Sequence, residues 1–155
     1  MILLHPVSNF FEQSLFRLLQ NPPRSVQQFA SQFASAYDTG IALTASPTPV
    51  TIGKSLLMTQ ALVGAFSSQG GSPSRAVSGI IQGLTVFWPG VVVPGGAVTG
   101  FLGGAALQSC LISNLSNSRI SHSDAARKIT QCMKAATRLV QYVIPPAGPA
   151  FLIVA

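Results

Sequence analysis

Carboxylates are nearly missing from this chain: Glu12, Asp38 and Asp124 are the only three in 155 residues. They lie far apart in sequence, so no local pair is offered for general acid and base work. Bases are scarce as well, and charged residues make up only 8% of the chain where an ordinary soluble domain carries about 25%. The pI near 10.2 therefore records missing acid rather than abundant base, and by itself does not mark a nucleic-acid binder. Two cysteines, Cys110 and Cys132, are too few for a disulfide scaffold. Without a CxxC pair they also argue against structural zinc, and two buried thiols are expected. The 14 glycines show no three-residue period, which excludes collagen.

Other chemistry fails on spacing. Ile52-Gly-Lys-Ser55 ends like a phosphate-binding loop, but Thr48 stands where that motif needs glycine, and Pro47 and Pro49 supply no backbone N–H. Ser121, His122 and Asp124 are neighbours on one turn and cannot converge as a catalytic triad. His5 and His122 read as surface or capping residues. No catalytic residue, metal ligand, cofactor or small-molecule substrate is assigned. The opening segment, 1–6, has no basic n-region and too short an apolar run for a secretory signal.

What remains is apolar: 48% of residues, with a mean hydropathy of +0.47. So few charges cannot furnish a normal solvated exterior, so much of the surface should be covered by other molecules. The patterning predicts a mostly α single domain of about six helices. Ser8 caps a first helix ended by Asn21-Pro22-Pro23. Ser25 caps a second, with Val26, Phe29, Phe33 and Tyr37 on one stripe, ended at Thr39-Gly40. Residues 41–52 read as an extended connector and Lys54 to Ser67 as a third helix. Gly70-Gly71 makes a turn, and Ser72-Pro73 starts a fourth helix that runs to Trp88. Residues 89–96 form a stiff apolar connector, and 97–116 a fifth helix. Ser121 or Ser123 caps a sixth, with Ile129, Met133, Ala136 and Val140 inward, ended by Pro145-Pro146. Residues 145–155 form a Pro-rich arm, strand-like over about 149–155.

Three features bear on function. No charge occurs from Ala76 to Ser118, 43 positions in a row. Within that run Gly96, Gly100 and Gly104 repeat at four-residue intervals, as do Gly79 and Gly83 before it, the spacing of a close helix-packing interface. The same run raises a membrane alternative: a helical hairpin over about 76–116, pore-forming or part of a membrane complex. Next, the arm residues Phe151, Leu152, Ile153 and Val154 are apolar and β-prone; they either pair with 41–52 of their own chain or add as a strand to a neighbouring subunit. Last, Arg127, Lys128, Lys134 and Arg138 share one side of the sixth helix, a solvated face or a face for an anionic partner. The expected role is a non-enzymatic structural subunit, packed in several copies with itself and other subunits into a large assembly such as a virus or phage particle, a tail or an injection machine. Membrane and nucleic acid are the further candidate partners.

Overall fold

A computed structural model describes residues 10–66, 73–115 and 120–154. The described chain is a mostly helical single domain. Its helices are α1 (Phe10–Gln20), α2 (Val26–Thr44), α3 (Lys54–Phe66), α4 (Pro73–Phe87), α5 (Gly104–Leu115) and α6 (His122–Thr137). Its strands are β1 (Ala45–Ser46), β2 (Val92–Val93), β3 (Gly96–Phe101), β4 (Val140–Val143), β5 (Ala150–Phe151) and β6 (Ile153–Val154). Two antiparallel sheets result: β2-β3-β4-β5, and the pair β1-β6. The expected Ser8 cap, the Gly70-Gly71 turn and the Ser72 cap lie outside the described residues.

Local chemistry starts the helices as expected in two places. The Ser25 hydroxyl accepts from the Gln28 amide at 3.1 Å, and the Ser121 hydroxyl from the Asp124 amide at 3.1 Å, each satisfying a donor that the first helical turn leaves open. The core is built on an aromatic chain of edge-to-face contacts. Phe11 meets Phe33 and Tyr37 at 5.7 and 5.9 Å, Tyr37 meets Phe87 at 5.2 Å, and Phe87 meets Trp88 at 5.1 Å, within the range favoured for such pairs. Buried residues from Phe11 to Val154 form one cluster around them.

Three expectations are corrected. Helix α2 does not stop at Thr39-Gly40 but runs on to Thr44, so the extended connector shrinks to a short stretch beginning at β1. The cause is packing: a Cβ on Gly40 would lie 3.3 Å from the Phe11 Cβ, so this glycine admits α1 against α2 instead of ending the helix. The 89–96 connector and the first part of the fifth helix are a β-hairpin. Val93 pairs with Gly96 across Pro94-Gly95, and Gly95 has φ of 81°, the positive φ that a type II turn demands after proline. Helix α5 therefore begins only at Gly104. The sixth helix ends at Thr137, and Val140 belongs to β4.

The range 76–116, on which the membrane alternative rests, divides into α4, the β2-β3 hairpin and α5. Among the described residues no helix is long and apolar enough to cross a membrane.

Candidate functional site

Sheet β2-β3-β4-β5 has one face in the core and one outside. Val93, Val98, Val140 and Leu152 are buried on the inner side. Residues directly opposite on paired strands point the same way, so the register Val92↔Ala97↔Val143 and Gln141↔Phe151 defines the outer face. On it Val92 is 51% and Phe151 46% exposed, and Ala97 and Thr99 are exposed beside them. Val50 extends this face by bridging to Val92, its amide donating to the Val92 carbonyl at 2.7 Å. No residue in 89–115 or 139–155 carries a charge, so the outer face is uncharged throughout. Lys54 and Arg138 reach its margins, and both donate to backbone carbonyls: Lys54 Nζ to Pro89 at 2.6 Å, Arg138 Nη2 to Val154 at 2.9 Å.

The C-terminal arm is tied to its own chain. Tyr142 pairs with Ala150 and Gln141 with Phe151; Ser46 pairs with Ile153 and Ala45 with Val154. Leu152 and Val154 are buried, at 2% and 3% exposure, and the Leu152 amide donates to the Val140 carbonyl at 3.0 Å. The intramolecular pairing with the beginning of the former connector is thus the arrangement seen, and a free strand reserved for a neighbouring subunit is not. Alternation leaves Phe151 and Ile153 outward, the latter 70% exposed, so of the four residues Phe151 to Val154 these two face away from the core.

The four bases near α6 do not form one free cationic face. Arg127 pairs with Asp124 at 2.9 Å. Arg138 lies past the end of the helix, as its C-cap, and clasps the Val154 carbonyl through Nε and Nη2. Lys134 is half-buried; burial, then the nearby Arg138, holds its ammonium below the usual lysine value, with Glu12 opposing. Lys128, also half-buried, makes no such contact among the described residues. Arg127 and Arg138 are thus engaged with groups of their own chain.

The five glycines separate as well. On α4, a Cβ on Gly79 would come within 2.5 Å of the Ala65 Cβ, and one on Gly83 within 3.1 Å of Met58 Cγ, so both face α3 at close approach. Gly104 opens α5 and sits in ordinary contact range of Ile81, at 3.8 Å. Gly96 and Gly100 are strand residues, and their four-residue spacing has no helical meaning. Gly96 instead lets β3 approach β4, since a Cβ there would fall 2.0 Å from the Val143 carbonyl oxygen. Gly100 meets nothing closer than Leu102 Cδ2 at 4.0 Å.

Sequence reasoning missed two internal features. Cys110 and Cys132 are a disulfide joining α5 to α6, with a Cα–Cα distance of 5.6 Å, which replaces the expectation of two thiols. Their Sγ atoms lie on facing helices, a relation invisible in a separation of 22 residues. The Asn114 side chain sits over the bridge, its Nδ2 donating to the Cys110 carbonyl at 2.8 Å. The second feature is a buried polar relay. Trp88 Nε1 donates to the Tyr37 hydroxyl at 3.1 Å, and Thr137 Oγ1 donates to the Met133 carbonyl at 2.7 Å. Having used its only hydrogen, the Thr137 hydroxyl accepts from Tyr37 at 2.7 Å. Burial pushes the Tyr37 phenol well above its ordinary value.

This relay is enclosed in the core, with Tyr37, Trp88 and Thr137 all buried. The cavity beside it, bordered by Tyr37, Thr137 and Lys134, holds about 20 Å³, room for one water and not for a substrate. Among the described residues no group of three or more His, Cys, Asp or Glu could hold a metal ion. Comparison with protein-family models, with curated proteins and with solved structures finds no match to this chain.

Proposed function

We propose that this protein is a non-enzymatic structural subunit that packs in multiple copies into a large assembly, such as a virus or phage particle, a tail or an injection machine. The observation that carries the reading is the uncharged outer face of the sheet, with Val92 and Phe151 about half exposed and Ile153 beside them on the outer side of β6. The net charge of +6 sharpens the point. Two copies of a cationic chain repel each other over most approaches, whereas contact through the sheet keeps the bases of the helices apart. The disulfide fits an assembly that matures in oxidising surroundings.

The test is sedimentation velocity on the full chain in buffer without detergent. Wild-type protein should sediment as a multimer. The double variant Val92→Lys and Phe151→Lys should sediment as a monomer with unchanged far-UV circular dichroism, because both side chains are outward. A wild-type protein that is monodisperse and monomeric overturns the reading. Retention with lipid through an alkaline carbonate wash would instead favour the membrane alternative.

A further inference from the structure

Helix α5 packs on α4 and α6 with little to hold it there. Over residues 104–114 only Leu107 and Leu111 are fully buried, whereas α6 buries seven residues, Ile129, Met133 and Ala136 among them. The helix carries no charged residue, so no ion pair along its own surface supports it, and at 12 residues it is marginal without tertiary anchorage. Its third anchor is covalent: Cys110, between the two leucines in sequence, is bonded to Cys132 of α6. Elements with few buried apolar groups are the first to open locally, so α5 depends on this bond more than α6 does.

The two sulfurs of the bond are not equivalent. Cys132 is 1% exposed, whereas Cys110 is only half-buried, so an incoming thiolate reaches Cys110 Sγ. The sulfur expelled is then that of Cys132, which needs a donor if it is to hold negative charge inside the protein. Asn114 supplies one. Its Nδ2 donates one hydrogen to the Cys110 carbonyl at 2.8 Å and lies 3.6 Å from both Sγ atoms, so its second hydrogen serves the sulfurs. Hydrogen bonding to a thiolate favours it over the thiol, and a better stabilised thiolate leaves faster.

We propose that the Cys110–Cys132 bond is a redox latch on α5: a dithiol reductant opens it at Cys110, and the freed helix lifts from α4 and α6, baring Leu107 and Leu111. One thiolate of the dithiol bonds to Cys110 Sγ as the Cys132 thiolate departs. The second thiolate then attacks the mixed disulfide, releasing Cys110 and closing as a cyclic disulfide. Two electrons pass to the cysteines, which also take up the two protons that the dithiol loses. The latch does not rest on the assembly reading. Hydrogen exchange of the full chain, followed by mass spectrometry with and without dithiothreitol, is the test. In the oxidised protein the amides of α5 should be protected to within about tenfold of those of α6. After reduction they should exchange at nearly the rate of an unstructured chain, while those of α6 stay about tenfold slower or more. Cys110→Ala with Cys132→Ala should show the reduced pattern without any reductant. Asn114→Leu, which keeps the cover over the bond but loses the donor, should slow reduction by dithiothreitol about threefold or more. The proposal is overturned if α5 stays as protected as α6 after reduction, if the two helices lose protection together, or if the double variant protects α5 as the oxidised wild type does. Equal reduction rates for wild type and Asn114→Leu overturn the role given to Asn114.

Discussion

Placing a single methyl group on either of two helical glycines, Gly64 in α3 and Gly79 in α4, should change stability with opposite signs. In a helix interior alanine is favoured over glycine by about 0.8–1.0 kcal/mol, a little less near a helix end. At Gly64 an added Cβ meets nothing within 4 Å among the described residues, so Gly64→Ala should stabilise the protein by nearly that amount. At Gly79 the added carbon would lie 2.5 Å from the Ala65 Cβ. Carbon pairs rest at about 3.5–4.0 Å, so α3 and α4 must separate by roughly 1 Å, and neither Cβ can rotate away. Overpacking of this kind costs about 1–3 kcal/mol. The helix-propensity gain is common to both sites, so the difference between the two variants, measured by urea unfolding at constant m, isolates the steric cost. Adding Ala65→Gly to Gly79→Ala should recover most of it, giving a coupling energy of about 1–3 kcal/mol in a double-mutant cycle. If Gly79→Ala stabilises as much as Gly64→Ala, the close approach of the two helices is not real.

The remaining expectations concern buried groups and the arm. Tyr37→Phe leaves the Trp88 indole N–H without its acceptor and should cost about 1–3 kcal/mol in chemical denaturation; a neutral result would mean the relay carries no net stabilisation. Because folding raises the Tyr37 pKa, the folded state keeps a proton that the unfolded state loses above about pH 10. Stability should therefore fall as pH rises past that point, and the ultraviolet signal of Tyr37 ionisation should appear together with unfolding rather than before it. Removing the disulfide by Cys110→Ala with Cys132→Ala should cost about 3 kcal/mol from chain entropy for a loop of this length, read as a lower urea midpoint than that of the oxidised wild type. Leu152→Asp should unfold the C-terminal arm or the whole protein, since Leu152 is buried in its own chain. Ile153→Asp, on an exposed position, should leave the unfolding midpoint within about 0.5 kcal/mol of wild type.

Where local chemistry and packing agree, the residues announce the fold; elsewhere they mislead. Helices α3 and α4 were legible from apolar spacing and from Pro73, and Ser25 and Ser121 were legible as caps. Gly40 was misread because its meaning depends on Phe11, which is distant in sequence but adjacent in space. The β2-β3 hairpin carried its own signal, Val-Val-Pro-Gly-Gly, a proline-glycine turn between β-branched residues. The four-residue glycine spacing drew 97–116 into a helix against the local preference of Val98 and Thr99 for strand. The outer face of the sheet was not legible as a site. Its members come from β2, β3, β4 and β5, and only strand register shows that Val92, Val143 and Phe151 share a side. The shortage of charge did signal that some surface would be bare, without saying which.

The structure makes that shortage more severe than composition alone suggests. Of the ionised groups described, Asp38 is held by Thr51, Asp124 and Arg127 hold each other, Lys54 and Arg138 are bound to carbonyls, and Lys134 is half-buried. Several of these engagements fasten β-structure or the segments leading into it: Arg138 clasps β6, Lys54 ties α3 to the turn before β2, and Asp38 fixes Thr51 just after the bridge at Val50. The same few charges that could have solvated the exterior are used to hold the sheet edges in place. A protein under pressure to remain a free monomer would place charge on the edge and outer face of a sheet, where it blocks pairing with other chains. Here the charge stops at the margins, and β5, the last strand of its sheet, presents Phe151 without a neighbouring base or acid in its own segment. Fixing the edges while leaving the face bare is what contact with another molecule through that face requires: a rigid backbone, little side-chain entropy to lose, and no ion to desolvate.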